Sequence, residues 1–305
     1  MKKAKKRFNT FQNSSEGFKK LLSWTDSKCQ CSEKPAFCME ATGSYMEEVV
    51  EFLYDNGFDV SIVNPLLIKQ KKAKLHSNKT DKADAKTIAK YCRSENPRLW
   101  TPQPQEYRQL RDVCRAIDFL KIQLTRERNK LETRVINIIV KNAINTVILA
   151  IEEQINKLEA ERKKIIDEHE QIKSQVEKIV NIKGVGLGTA CCILVEAPTP
   201  ENFNNAKQYA AFFGITPQHF ESGSSVKKGS HLSKIGSRYA RKTLFMASMA
   251  VKRHNENFQP FVQRLEKKGK KAKVIVCAIM RKLMHIIFGM LKNNTNFNKN
   301  LAFAA

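Results

Sequence analysis

Residues 34–65 read KPAFCMEATGSYMEEVVEFLYDNGFDVSIVNP, and their pattern decides the architecture of the first third of the chain. "KPAFCME" is a short apolar run between Pro35 and Gly43, which reads as a buried strand ending at Glu40. "SYMEEVVEFLYDNGF" spaces its apolar residues three and four apart and stops at Asn56-Gly57, as an amphipathic helix does. "DVSIVNP" is a second strand, closed by Pro65. Further on, "TDKADAKTIAKYC" (80–92) is a helix with Thr80 as its N-cap. Strand, helix, strand, helix predicts an α/β layer built on a parallel pair. Glu40 leaves the first strand at its C-terminal edge, where such folds place active groups.

The helix that follows Thr80 carries Asp81 and Asp84, three apart and therefore on one face. Adjacent carboxylates repel unless a cation lies beside them. The lysines at 79, 82 and 86 would serve on a solvated helix, and a divalent metal would serve in a site; the residues alone leave both open. Glu40 from a strand with two aspartates from a later helix matches the layout of a metal-dependent nuclease. There, carboxylates hold two magnesium ions roughly 3.5–4 Å apart.

Charge narrows the partners. Lys and Arg number 54 against 30 acidic residues, a net +24 that attracts polyanions, nucleic acid first among them. A ribosomal or membrane-surface protein is also basic, so charge alone does not choose. "MKKAKKRFNT" leads into a polar, Ser-rich stretch rather than an apolar leader, and no run approaches the length of a bilayer span. A reducing cytoplasm is the expected location. The cysteines at 29, 31, 38, 92, 114, 191, 192 and 277 are scattered, as reduced thiols are. Zinc on Cys29, Cys31 and Cys38 is the alternative, without a second pair at finger-like spacing.

Gly and Pro divide the chain into residues 1–104, 105–183 and 184–305. The middle part has neither. Apolar residues at 110, 113, 117, 120, 124, 131 and 138, then at 148, 151, 155, 158, 165, 172, 176 and 179, follow a heptad seam. Arg162 and His169 occupy seam positions; His169 fits a register-setting polar residue, a titrating group or a metal ligand. Two long helices are expected, paired as an antiparallel hairpin or used to join subunits, with "KNAINT" (141–146) as the turn. In the last part, Gly184, Gly186 and Gly188 make a tight turn before an apolar helix. "TPENFNNAKQYAAFFG" is a capped helix ending at Gly214. Helices follow from about Ser237 to Arg253, near Pro260, and over "KAKVIVCAIMRKLMHIIFGMLK". This part is expected to be all-α around one irregular loop.

That loop, "ESGSSVKKGSHLSKIG", is rich in hydroxyls and glycine, and Lys227, Lys228, Lys234, Arg238, Arg241 and Lys242 surround it. Cations beside a closely approachable backbone suit a phosphodiester. A serine there can hydrogen-bond phosphate or attack phosphorus. "GVGLGT" offers N–H groups at a helix N-terminus, a phosphate grip that tight helix packing explains nearly as well.

Four segments in order, "MEATGSYMEEVVEFLYDNGFDVSIVNP", "NKTDKADAKTIAKY", "IKGVGLGTACCILVEAPTPENFNNAKQYAAFFGITP" and "SGSSVKKGSHLSKIGSRYARKTLFMASM", together resemble the transposases of the insertion-sequence 110 and 1111 type, the DEDD group related to Piv invertases. The resemblance spans about residues 7 to 292. It implies a ribonuclease-H-like (RuvC-like) N-terminal domain, a coiled-coil insertion and a C-terminal transposase domain. It places Glu40, Asp81 and Asp84 on metal ligands for Mg²⁺, and Ser222 on the serine that joins covalently to DNA, with Ser224, Ser225 and Ser230 close by. It further implies DNA as substrate, a homo-oligomer (dimer or tetramer) joined through the coiled coil, and, in some members, a structured guide RNA that pairs with donor and target.

The family opens with a strand of the form "GIDVSK", whose aspartate is the first ligand. Here "MKKAKKRFNTFQNSSEGFKKLL" aligns from a later strand, "RFNTF", and the first acidic residue is Glu16 in the next helix. The expectation is therefore an N-terminally truncated domain with three of four carboxylates, cutting DNA poorly or not at all. Two rivals follow: an inactive remnant that only binds nucleic acid, and a helical scaffold whose charge serves solubility.

Overall fold

The structure is a computed structural model and describes residues 8–28, 34–73, 80–133, 137–197, 200–222, 226–233 and 235–299. The chain divides into two compact units, residues 1–102 and 103–305, and is mostly helical with few strands.

In the first unit, α1 (Ser15–Lys28) precedes β1 (Phe37–Glu40), α2 (Glu47–Asp55), β2 (Val60–Val63), α3 (Pro65–Ala73) and α4 (Asp81–Glu95). The strands pair in parallel, Phe37 opposite Val60 and Glu40 opposite Val63. The predicted strand–helix–strand–helix order holds. Val50 and Leu53 of α2 and Val60 of β2 form the small core, with Phe37, Phe52 and Trp100 packed against it. Gly57 ends α2 at φ 74°, a conformation open to glycine. The expected strand "RFNTF" is not one where it is described: Phe8–Phe11 has no regular structure, and among the described residues no strand pairs with it; Arg7 lies outside them. Helix α3 was not anticipated. Pro65, read as a strand stop, is also its first residue, and Asn64 Oδ1 accepts from Leu66 N at 2.9 Å.

The second unit begins with α5 (Gln105–Glu132) and α6 (Ile138–Glu168). Lys121 meets Glu159 at 2.7 Å and Arg128 meets Glu152 at 2.6 Å, so the two run antiparallel. Residues 141–146, expected as the turn, are helix: α6 already starts at Ile138, where Asn137 Oδ1 caps it by accepting from Ile139 N at 2.9 Å. Leu110, Ile117, Ile148, Ile155, Ile165, Ile172, Val176 and Ile179 of the expected seam are buried, and so is Arg162, whereas Ile138, counted in the first run, is exposed at the start of α6. His169 is where the second helix breaks, ending α6 and starting α7 (Glu170–Val180), with its Nδ1 2.8 Å from Ile165 O.

Helix α8 (Leu187–Glu196), α9 (Ala206–Phe212), β3 (Pro217–Ser222), β4 (Val226–Leu232), α10 (Arg238–His254), α11 (Gln259–Lys267) and α12 (Ala272–Lys292) complete the unit. The expected all-α part holds a β-hairpin where an irregular loop was anticipated: β3 and β4 pair antiparallel. Helix α9 starts late, because Asn205 caps it by accepting from Gln208 N at 2.9 Å. Helix α12, contrary to expectation, is long and apolar enough to cross a bilayer. It is the centre of the core instead: Ile279, Leu283, Met284 and Ile287 are fully buried.

Candidate active site

Glu40 is the last residue of β1 and is half-buried. Its strand neighbour two back, Cys38, hydrogen-bonds the Cys92 thiol of α4, and burial, then Cys92, pushes the Cys38 thiol up to about 12. Residues two apart on a strand share a face. Glu40 therefore sits on the face that α4 covers.

Helix α4 begins at the aspartates. Thr80 Oγ1 accepts from Ala83 N at 3.2 Å, the predicted cap, and Asp81 and Asp84 occupy the first turns, where the helix dipole favours negative charge. Asp81 is exposed; Asp84 is half-buried on the side that carries buried Thr87. Lys71 of α3 ties down the far end of the helix through Glu95 at 2.7 Å. Lys82 lies over the Phe8 ring, 5.8 Å from its centroid. Lys79 is outside the described residues.

Among the described residues, no three carboxylate, imidazole or thiol groups converge closely enough to form a ready metal cage. The donor chemistry nonetheless suits magnesium. Three hard oxygen donors come from two packed elements, and Mg²⁺ takes one or two carboxylates together with waters and substrate phosphates rather than an all-protein cage. Cys29 and Cys31 lie outside the described residues; Cys38, Cys92, Cys114, Cys191, Cys192 and Cys277 are free thiols.

Ser222 is the last residue of β3, its Cα opposite Val226 at the end of the hairpin where β3 leads into β4, with Ser224 and Ser225 outside the described residues. In the backbone register Lys227 stands opposite Glu221 and Lys228 opposite Phe220, and Ser230 is on β4. Lys234 is outside the described residues. Arg238 is exposed at the start of α10, which Ser237 caps through Ala240 N at 3.2 Å. Arg241 donates to Gly236 O at 2.8 Å, and burial, then Arg238, lowers its pKa. Lys242 turns to α5 instead, bonding Asp118 Oδ1 at 2.8 Å.

The glycines divide by role. Gly184, at φ 97°, lies so close to α10 that a Cβ would come 2.8 Å from Val251 N, so packing explains it. Gly186 caps α8 with open space beside it. Gly188 is also exposed, with Arg162 Nη1 3.8 Å from where its Cβ would be. Arg162 was noted only as a misfit in an apolar seam. Its burial beneath the glycine turn was not legible, because the two segments meet only in the folded unit.

Carboxylates at the edge of an α/β layer, and cations around a hairpin in a chain of net charge +24, are traits of proteins that act on nucleic acid. A family model described as a transposase matches residues 1–139, and that of the IS116/IS110/IS902 transposase family matches residues 176–263. The chain belongs to this family, the insertion-sequence 110 type of transposase. It is 32% identical over 294 residues to the pilin gene-inverting protein of Moraxella bovis, covering 96% of this chain and 91% of that protein. The pilin gene-inverting protein of Moraxella lacunata matches to the same extent. An uncharacterized 43.6 kDa protein of insertion element IS110 from Streptomyces coelicolor is 24% identical over 163 residues, 53% of this chain and 39% of that protein.

Proposed function

We propose that the chain cuts and exchanges DNA strands for a mobile element, as a recombinase with carboxylate-held metal and a serine nucleophile. The reading is carried by one observation: Glu40 lies on the strand face that α4 covers, and α4 opens with Asp81 and Asp84, in a chain alike over nearly its whole length to proteins named for inverting a gene. Glu40, Asp81 and Asp84 would hold Mg²⁺ in a RuvC-like domain. The ion would offset charge on the phosphoryl oxygens. Ser222 Oγ would attack phosphorus, losing its proton to solvent. A serine–phosphate bond forms, the scissile P–O bond breaks, and the departing oxygen takes up a proton.

Lys227, Lys228, Lys234, Arg238 and Arg241, with the open turn at Gly186 and Gly188, would grip phosphates. Lys242, held by Asp118, would contribute less. The α5–α6 hairpin would join copies of the chain as a coiled coil, in the cytoplasm, and a structured RNA would guide some of the pairing.

The alternative is a protein that binds nucleic acid without cutting it, favoured by the absence of a ready cage among the described residues. Incubating the purified chain with Mg²⁺ and duplex carrying the junction of its own element separates the two. Strand cleavage by the wild type, lost in Ser222→Ala with affinity kept, supports the recombinase. Binding without cleavage at any Mg²⁺ or Mn²⁺ concentration supports the alternative.

A further inference from the structure

The foot of the β3–β4 hairpin, α11 and one face of α12 enclose a cleft of about 550 Å³. That is within the usual range for a small-molecule site. On α12, Val274, Cys277, Ala278, Arg281, Lys282 and His285 recur at helical spacing and form a stripe opposite the buried core face. The floor is apolar, completed by Ile215, Pro217 and Phe261 from the neighbouring elements. The rim is cationic: Lys273, Arg281 and Lys282, with His231 and His285, and among the described residues no carboxylate lines it.

Such a lining fits a flat apolar body with a negative group attached. His285 Nε2 is shielded from solvent and finds no partner among the described residues. Burial first, then Arg281, Lys282 and Lys207, lower the His285 pKa, so the ring is neutral near pH 7. A neutral imidazole offers one donor and one acceptor, as the edge of a base requires, while the rim cations suit a phosphate. An apolar peptide would bring nothing for Lys273 and Arg281 to bind. The place matters too. Pro217 and Leu232 pair at the foot of the hairpin, and Ser222 stands at its other end, where β3 leads into β4, roughly 17 Å away along an extended strand. A polynucleotide strand held at Ser222 can reach the cleft within a few nucleotides.

We propose that this cleft holds one unpaired nucleotide of the DNA strand presented to Ser222, its base on the apolar floor and its phosphate on Arg281 and Lys273. The assignment of that strand rests on the recombinase reading; the nucleotide chemistry of the cleft does not.

The test is photo-cross-linking of the full chain to single-stranded DNA carrying 5-iododeoxyuridine, with matched duplex and single-stranded RNA, and peptide mapping by mass spectrometry. The expected adducts fall within residues 259–292 for single-stranded DNA and weaken for duplex. Ala278→Trp, which fills the cleft, and Arg281→Glu, which reverses its rim, should each lower the adduct yield about tenfold, the scale of one stacked base. Both variants are checked for an unchanged melting transition. Adducts elsewhere only, or a yield unchanged in both variants, would overturn the proposal. Adducts with RNA alone would overturn the DNA assignment. Loss of self-association in Ala278→Trp without loss of DNA adducts would make a second copy the occupant and also overturn it. Ser222→Ala separates the two readings: cleavage retained in that variant sinks the serine nucleophile and leaves the adduct map standing.

Discussion

The two units hold their candidate groups on very different scaffolds. In the first, Glu40 rides on a pair of four-residue strands backed by Val50, Leu53 and Val60. In the second, the serine hairpin grows from a continuous core of helices centred on α12, where Tyr209, Phe213, Leu244 and Phe258 are essentially without exposure. A two-stranded sheet is marginal alone, and a small core buries little to hold it. The carboxylates therefore sit on the softer scaffold and the serine on the firmer one. A divalent ion held by Glu40, Asp81 and Asp84 would then add most where the protein adds least.

Removing a carboxylate is the largest blow to that contrast. Asp84→Asn or Glu40→Gln should lower strand cleavage by on the order of 100-fold or more while DNA affinity stays within a factor of about two. Cleavage kinetics beside filter binding read this out, and equal losses in both would mean the carboxylates are structural. Next come the cores. Phe258→Ala should destabilise the second unit by about 3–5 kcal/mol, and Leu53→Ala the first by about 2–5 kcal/mol. Hydrogen exchange should report each loss in its own unit; protection lost throughout by either change would erase the distinction between a soft and a firm scaffold. A smaller effect is expected from Thr80→Ala, which removes the α4 cap at a cost of about 1 kcal/mol. It should raise the Mg²⁺ needed for protection of α4, and an unchanged requirement would sever the link between helix start and metal.

The smallest effect concerns pH. The Lys121 hydrogen bond holds the Glu159 carboxyl below its ordinary value of 4.5, against a weaker opposing effect of burial. A lowered folded pKa means stability present above 4.5 and lost as pH falls through the folded value. The α5–α6 hairpin should lose stability below that point, and Lys121→Met should flatten the dependence. Thermal melts between neutral pH and about pH 3 would show it, and identical profiles would remove this pair from the account.

Much of this was legible from local pattern. Short apolar runs, stopped near Gly43 and at Pro65, marked both strands of the parallel pair, and the heptad spacing marked positions many of which are buried, Arg162 included. What escaped depends on pairing across the chain. Residues 217–232 are too polar to show a strand period, and their hairpin is set by β3–β4 register. The break at His169 follows from one residue's extended backbone inside a continuous helical pattern. Lys242 counted as a phosphate contact by neighbourhood, but Asp118, 124 residues away in sequence, holds it. For the carboxylates, the sequence named the residues and the packing of Cys38 on Cys92 gave Glu40 its face.

The most direct measurement is the mass of the protein–DNA adduct. Wild-type chain and Mg²⁺ would be incubated with its element's junction DNA bearing a nick that prevents religation, then digested and mapped. The account predicts a phosphodiester-linked nucleotide on the peptide containing Ser222, absent in Ser222→Ala and in Asp84→Asn. Cleaved DNA with free ends and no adduct on that peptide would contradict the serine mechanism.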